Sequence, residues 1–162
     1  MAVSSATWPD LGHRSGLPES IACLLSHPLV VMRRCFPVIV KRSTSGYEET
    51  ARLLIQAIEQ HGLKVFARID HAAEARGVGM ELADEEVVIF GSPQAGTPLM
   101  QSDPEIGIEL PLRILLWSEG DDVLAGYRDP RDLGGDYDVD DHRASLDKMA
   151  SLLESLVEAA TS

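Results

Sequence analysis

"EEVVIFGSPQAGTPLM", residues 85–100, joins an unbroken apolar run to a loop held between two glycines and then to a Thr-Pro pair. A run of that length, rich in β-branched residues, reads as a strand with neighbours on both sides. Thr97 and Pro98 suit the N-cap and first turn of a short helix, because proline gives up an N–H that has no helical partner there. A buried strand leaving through glycines into a helix is the unit of α/β architecture.

Working outward, the same alternation continues. Upstream, "LKVFARID" (63–70) alternates Leu63, Val65, Ala67 and Ile69 with Lys64, Phe66 and Arg68, a strand with one better-buried face. Asp70 precedes "HAAEARG" as the N-cap of a short helix that Gly77 closes. Further upstream, "FPVIVKRS" (36–43) is a strand. A helix follows it, with Ser45 and Glu48 as a capping box and Tyr47, Ala51, Leu54, Ile55 and Ile58 on one face. Gly62 is placed to end it in a left-handed conformation.

Downstream, Asp103 and Pro104 repeat the cap-and-proline device. "PLRILLWSE" and "DVLAGYR" are two strands, with "EGDD" as their hairpin turn. The last helix carries a stripe of Leu146, Met149, Leu153, Leu156, Val157 and Ala160, capped by Asp140 or Asp141.

The order β-α-β-(α)-β-(α)-β-β-α implies an α/β single-domain sandwich. Its mixed sheet has about five strands, with two longer helices and short ones between. Residues 36–162 form that domain. Residues 1–35 carry Pro, Ser, Gly and His without a period and read as an irregular extension with a short helix at 21–26. Met32 reads as an alternative start of translation.

The totals bound the function. A chain of 162 residues suits one domain. A net charge of −12 opposes nucleic-acid partners, whose phosphates need a basic face, and anionic membrane surfaces. Two cysteines, Cys23 and Cys35, form no zinc motif or disulfide framework, which points to a reducing cytoplasm. The apolar run at 21–32 is too short to span a bilayer.

Chemistry-bearing residues are few. Gly91 and Gly96 allow close backbone approach, and the helix start at Thr97 offers N–H groups to an anion. Yet "GSPQAGT" lacks the Walker and dinucleotide patterns, and no Lys or Arg lies between Arg76 and Arg113. His71, oriented by Asp70 at a strand end, is the candidate acid–base pair; capping a helix explains the same two residues. Ser92 is outside any nucleophile elbow. Tyr127 suits a ligand hydrogen bond or the core. Met100 beside His71 makes a poor metal site. Asp136, Asp138, Asp140 and Asp147 approach calcium-loop spacing, but Asp141 stands where that loop needs glycine. No metal site or cofactor is identified.

Several long runs in order, "RIDHAA", "FGSPQAGTPLM" and "LPLRILLW", together with "YRDP", resemble domain-of-unknown-function family 302 over residues 38–133. Ser92 stands where the family's usual pattern has Asn. The resemblance implies a compact α/β domain and a homodimer, and it supplies no catalytic residues. It also associates some relatives with redox, sulfur or metal handling, although the matching segment holds no cysteine.

The expected function is a dimeric module binding a small molecule or a partner, with Asp70, His71, Gly91, Ser92, Gly96, Thr97, Met100 and Tyr127 converging on one site. The alternatives are an enzyme using His71, and a redox, sulfur or metal-handling accessory protein.

Overall fold

Alternating apolar residues build five strands, and 3.6-residue stripes build the helices that cover them. The computed structural model describes residues 38–162; the readings placed on residues 1–35, Cys23 and Cys35 among them, lie outside the described residues. The strands are β1 (Val38–Arg42), β2 (Lys64–Asp70), β3 (Glu85–Gly91), β4 (Leu112–Glu119) and β5 (Asp122–Arg128). The helices are α1 (Tyr47–Gln60), α2 (His71–Gly77), α3 (Pro93–Ser102) and α4 (Arg143–Thr161). The element order is the one read from the sequence, and the class is α/β.

The sheet runs β1-β5-β4-β3-β2, and all four pairings are antiparallel. The expectation of a mixed sheet is corrected. Helix length explains the difference. A seven-residue strand is about 23 Å long, so a helix must run about that far to return the chain for a parallel partner. The 14 residues of α1 span about 21 Å, enough to cross from edge to edge. The seven of α2 and ten of α3 do not reach. Their connections leave and re-enter the sheet at the same end, with Asp70 opposite Glu86 and Phe90 opposite Leu112.

One face of the sheet meets α1 and α4. Leu54, Ile58, Val88, Phe90, Ile114, Leu116, Ala125, Leu153 and Leu156 fill that layer. On the other face, no helix covers Val87, Ile89, Leu115, Trp117 or Leu124 among the described residues; each is half-buried. Gly126 sits there under the Trp117 indole: a Cβ at this position would lie 2.9 Å from both Trp117 Cζ3 and Val38 Cγ1. The indole can lie flat on the sheet only because residue 126 has no side chain.

Local details refine the reading. Gly62 adopts φ +70 after α1, as the sequence implies, and Gly120 turns the β4–β5 hairpin with φ +61. Asp70 Oδ1 caps α2 by accepting from the Ala73 N–H at 2.7 Å. The capping box is not formed: Gly46 is the N-cap of α1, and Ser43 Oγ accepts from the Ser45 N–H instead. Thr50 takes over, its buried hydroxyl bonded to Ser43 Oγ and the Gly46 carbonyl. Neither Asp140 nor Asp141 caps α4, whose N-cap is His142; Asp140 pairs with Arg143. A bulge between Val65 and Ala67 switches the faces of β2, so Arg68 lies level with Val88 and Ile69 with Val87. That is why Ile69, expected on the buried face, is 39% exposed.

Candidate functional site

The Gly91–Thr97 segment does line a pocket, though not through the helix start read from the sequence. Ser92 is the N-cap of α3 and Pro93 its first residue, while Thr97 and Pro98 lie inside the helix. Pro93 already satisfies the geometry reserved for Pro98, and the fixed φ of proline is preorganised for a first turn. The first-turn N–H groups of Ala95 and Gly96 both donate to the Ser92 carbonyl, at 3.0 and 3.2 Å. The donors that were to receive an anion are therefore largely committed.

The pocket lies where β3 ends and β4 begins, between that end of the sheet, α3 and α4. Its volume is about 250 Å³. Gly91, Ser92, Pro93, Ala95, Gly96, Thr97 and Met100 form one wall. Leu63 and Phe66 come from the start of β2, Leu110 to Leu112 from the approach to β4, and Met149 and Leu152 from α4. No charged side chain lines it. Both glycines face its lining: a Cβ on Gly96 would lie 3.7 Å from Leu110 Cδ1 and Met100 Cε, and one on Gly91 3.6 Å from Phe66 and Pro111, all ordinary contact distances. With apolar walls and no cation, the pocket suits an uncharged, apolar guest. Ser92 Oγ is engaged with Gln94 Oε1 at 2.8 Å, leaving the Thr97 hydroxyl as a polar group at the rim.

Five of the eight expected residues, Gly91, Ser92, Gly96, Thr97 and Met100, meet at this pocket. Asp70, His71 and Tyr127 do not. Asp70 pairs with Glu86, five residues before Gly91 along β3, so the two ends of the strand are about 17 Å apart. Convergence required strand ends pointing the same way, and an antiparallel sheet sends them to opposite edges. The Asp70 carboxylate is occupied in capping α2, and no hydrogen bond joins it to His71 among the described residues. Tyr127 lies on the helix-covered face of β5, level with Ile39, and belongs to the core. Burial raises its phenol above the usual value, helped by Glu154 and Asp129 and opposed by Arg131.

The contributions of Leu63, Phe66, Leu110, Met149 and Leu152 were not foreseen, because each reads as ordinary core apolar sequence. The one local signal was Phe66, a large apolar residue on the wrong side of an alternation, which the bulge turns towards Gly91. Two further clefts differ in character. A groove of about 390 Å³ beside α1 is lined by Glu48, Arg52, Glu59 and Arg68. A polar cleft of about 520 Å³ lies along residues 42–46. No cluster of three His, Cys, Asp or Glu side chains able to hold a metal exists among the described residues.

The comparisons with known proteins agree with this architecture. A crystal structure of an uncharacterised DUF302 protein from Bacillus stearothermophilus matches 78% of this chain and 98% of its own, with a TM-score of 0.70 and 16% identity. Proteins named fluoride-specific ion channel FluC 1, from Brucella suis and Brucella abortus, are 39% identical over 83 residues. That stretch is 51% of this chain, and the chain spans about a third of those relatives, 33% and 31%. Among the described residues, no helix is long and apolar enough to cross a membrane. The model of the family described as domain of unknown function DUF302 matches residues 39–160, so the resemblance read from the sequence holds and the chain belongs to the DUF302 family.

Proposed function

We propose that this domain is a binding module whose guest is a small, uncharged, apolar molecule or side chain held at the Gly91–Met100 pocket. The carrying observation is the cavity itself: about 250 Å³, walled by apolar side chains from four elements and bordered by Gly91 and Gly96. A space of that size takes a group on the scale of a single aromatic ring system. Catalysis through His71 lacks support, because Asp70 does not orient it and both stand at the opposite end of the strand from the pocket. The anion reading loses its donors to the Ser92 carbonyl.

Indole titrated into the full chain tests the pocket by way of the Met100 and Met149 methyl resonances. Both signals are expected to shift saturably. Gly96→Leu fills the space from the wall and removes the shifts, while replacing a helical glycine with leucine keeps or raises the melting temperature. Equal shifts in the variant and the parent, or no shift in the parent, would remove the proposal.

A further inference from the structure

The open face of the sheet carries more than bare apolar surface; its charges are arranged by end. Val40, Gly126, Leu115, Val87 and Ile69 form a continuous apolar row across all five strands. At one end of the face lie Arg128 and Arg113, the latter level with Ile89. At the other end lie Glu85, level with Trp117, and Glu119, level with Asp122. Arg113 bonds Glu109, and Arg42 pairs with Asp122. Arg128, Glu85 and Glu119 have no ion-pair partner among the described residues.

We infer that this face packs against the same face of a second copy, about a two-fold axis lying in the interface and running across the strands. Such an axis reverses the strand direction, so the Arg128 end of one copy meets the Glu85–Glu119 end of the other. An axis along the strands would instead put like charges together. The apolar row lies near the axis and meets itself, as an isologous interface requires.

The area fits. Five strands about 4.8 Å apart and seven residues long give a face of about 24 by 23 Å, or about 550 Å² in projection. The accessible area of a side-chain surface exceeds its projection, which brings the face to the scale of the ~800 Å² per partner of a standard interface. Val38 and Val40 are both 48% exposed, on a face no described helix covers. The inference does not rest on the pocket.

Sedimentation equilibrium of the full chain tests it. The parent is expected at twice the monomer mass. Val40→Glu points a carboxylate into the apolar row from an edge strand outside the core, and should weaken association at least about 100-fold with an unchanged far-ultraviolet spectrum. Arg128→Glu and Glu119→Arg should each weaken association about 10-fold, and the double variant should recover most of the loss. A monomeric parent, or a dimer indifferent to Val40→Glu, would overturn the inference. A dimer tightened by Arg128→Glu would overturn the axis, because it would mean like ends already face each other.

Discussion

A carboxylate that leaves water must keep a partner, and Glu86 shows what this costs the sequence. It sits on the helix-covered face of β3 with its side chain 5% exposed, held by Arg68 Nη2 at 2.7 and 2.9 Å and Nε at 3.1 Å. Arg68 reaches it only because the β2 bulge turns that residue towards Val88. Arg68→Met is expected to destabilise by about 2 kcal/mol, less than a fully buried pair because the guanidinium is half exposed. Adding Glu86→Leu should recover most of the loss; a denaturant double-mutant cycle measures both. The tyrosines make a second case. All three phenols are raised: Tyr47 by burial and the nearby Glu86, Asp70 and Asp84, Tyr127 by burial, and Tyr137 by burial and Glu109. The folded chain then holds phenolic protons to higher pH than the unfolded chain. Their stabilisation is full below about pH 10 and declines as pH rises past it. An absorbance titration at 295 nm should show phenolate lagging behind free tyrosine, then appearing together with unfolding. Ordinary titration of all three in the folded protein would contradict this.

Elements were more legible than their ends. Periodicity located the strands, α1 and α4 because burial imposes it; α2 and α3 were read from cap and proline residues, α3 with its start misplaced, and Asp70 and Gly62 were readable because their roles need only the neighbouring backbone. Asp70→Ala should cost about 1 kcal/mol, and Asp70→Asn much less, since the amide oxygen can still accept from the Ala73 N–H. Urea midpoints distinguish the two. The start of α1 was misread because Ser45 and Thr50 compete for the same turn, and Thr50 wins through a buried bond to Ser43 that sequence spacing does not reveal. Thr50→Val should cost about 1 to 2 kcal/mol by leaving the buried Ser43 O–H without an acceptor, although Ser43 Oγ keeps the Ser45 N–H. The pocket was half legible for a similar reason. Its Gly91–Met100 wall is contiguous in sequence, but the opposing Met149 and Leu152 arrive from 50 residues away, and only the sheet's pairing decides that Asp70 is remote.

At the scale of the molecule, two helices and five strands share one apolar layer, and its deepest members set the stability. Leu54 on α1 and Leu153 on α4 are 0% and 1% exposed. Each truncated to alanine is expected to cost about 3 kcal/mol, read from denaturant midpoints. The sheet order has a further consequence. β1 pairs with β5 from Val38 opposite Arg128 to Arg42 opposite Leu124, and just beyond the Arg42 end the Thr44 N–H bonds the Thr161 carbonyl. During translation, Val38–Arg42 leaves the ribosome before every other described strand, yet its ladder partner among the described residues emerges after the other three strands. Until then β1 is an apolar segment with no sheet to join, and the growing chain can assemble β2, β3 and β4 without it. A nascent chain arrested before residue 122 should leave the 38–42 segment open to protease, and release of the finished chain should close it.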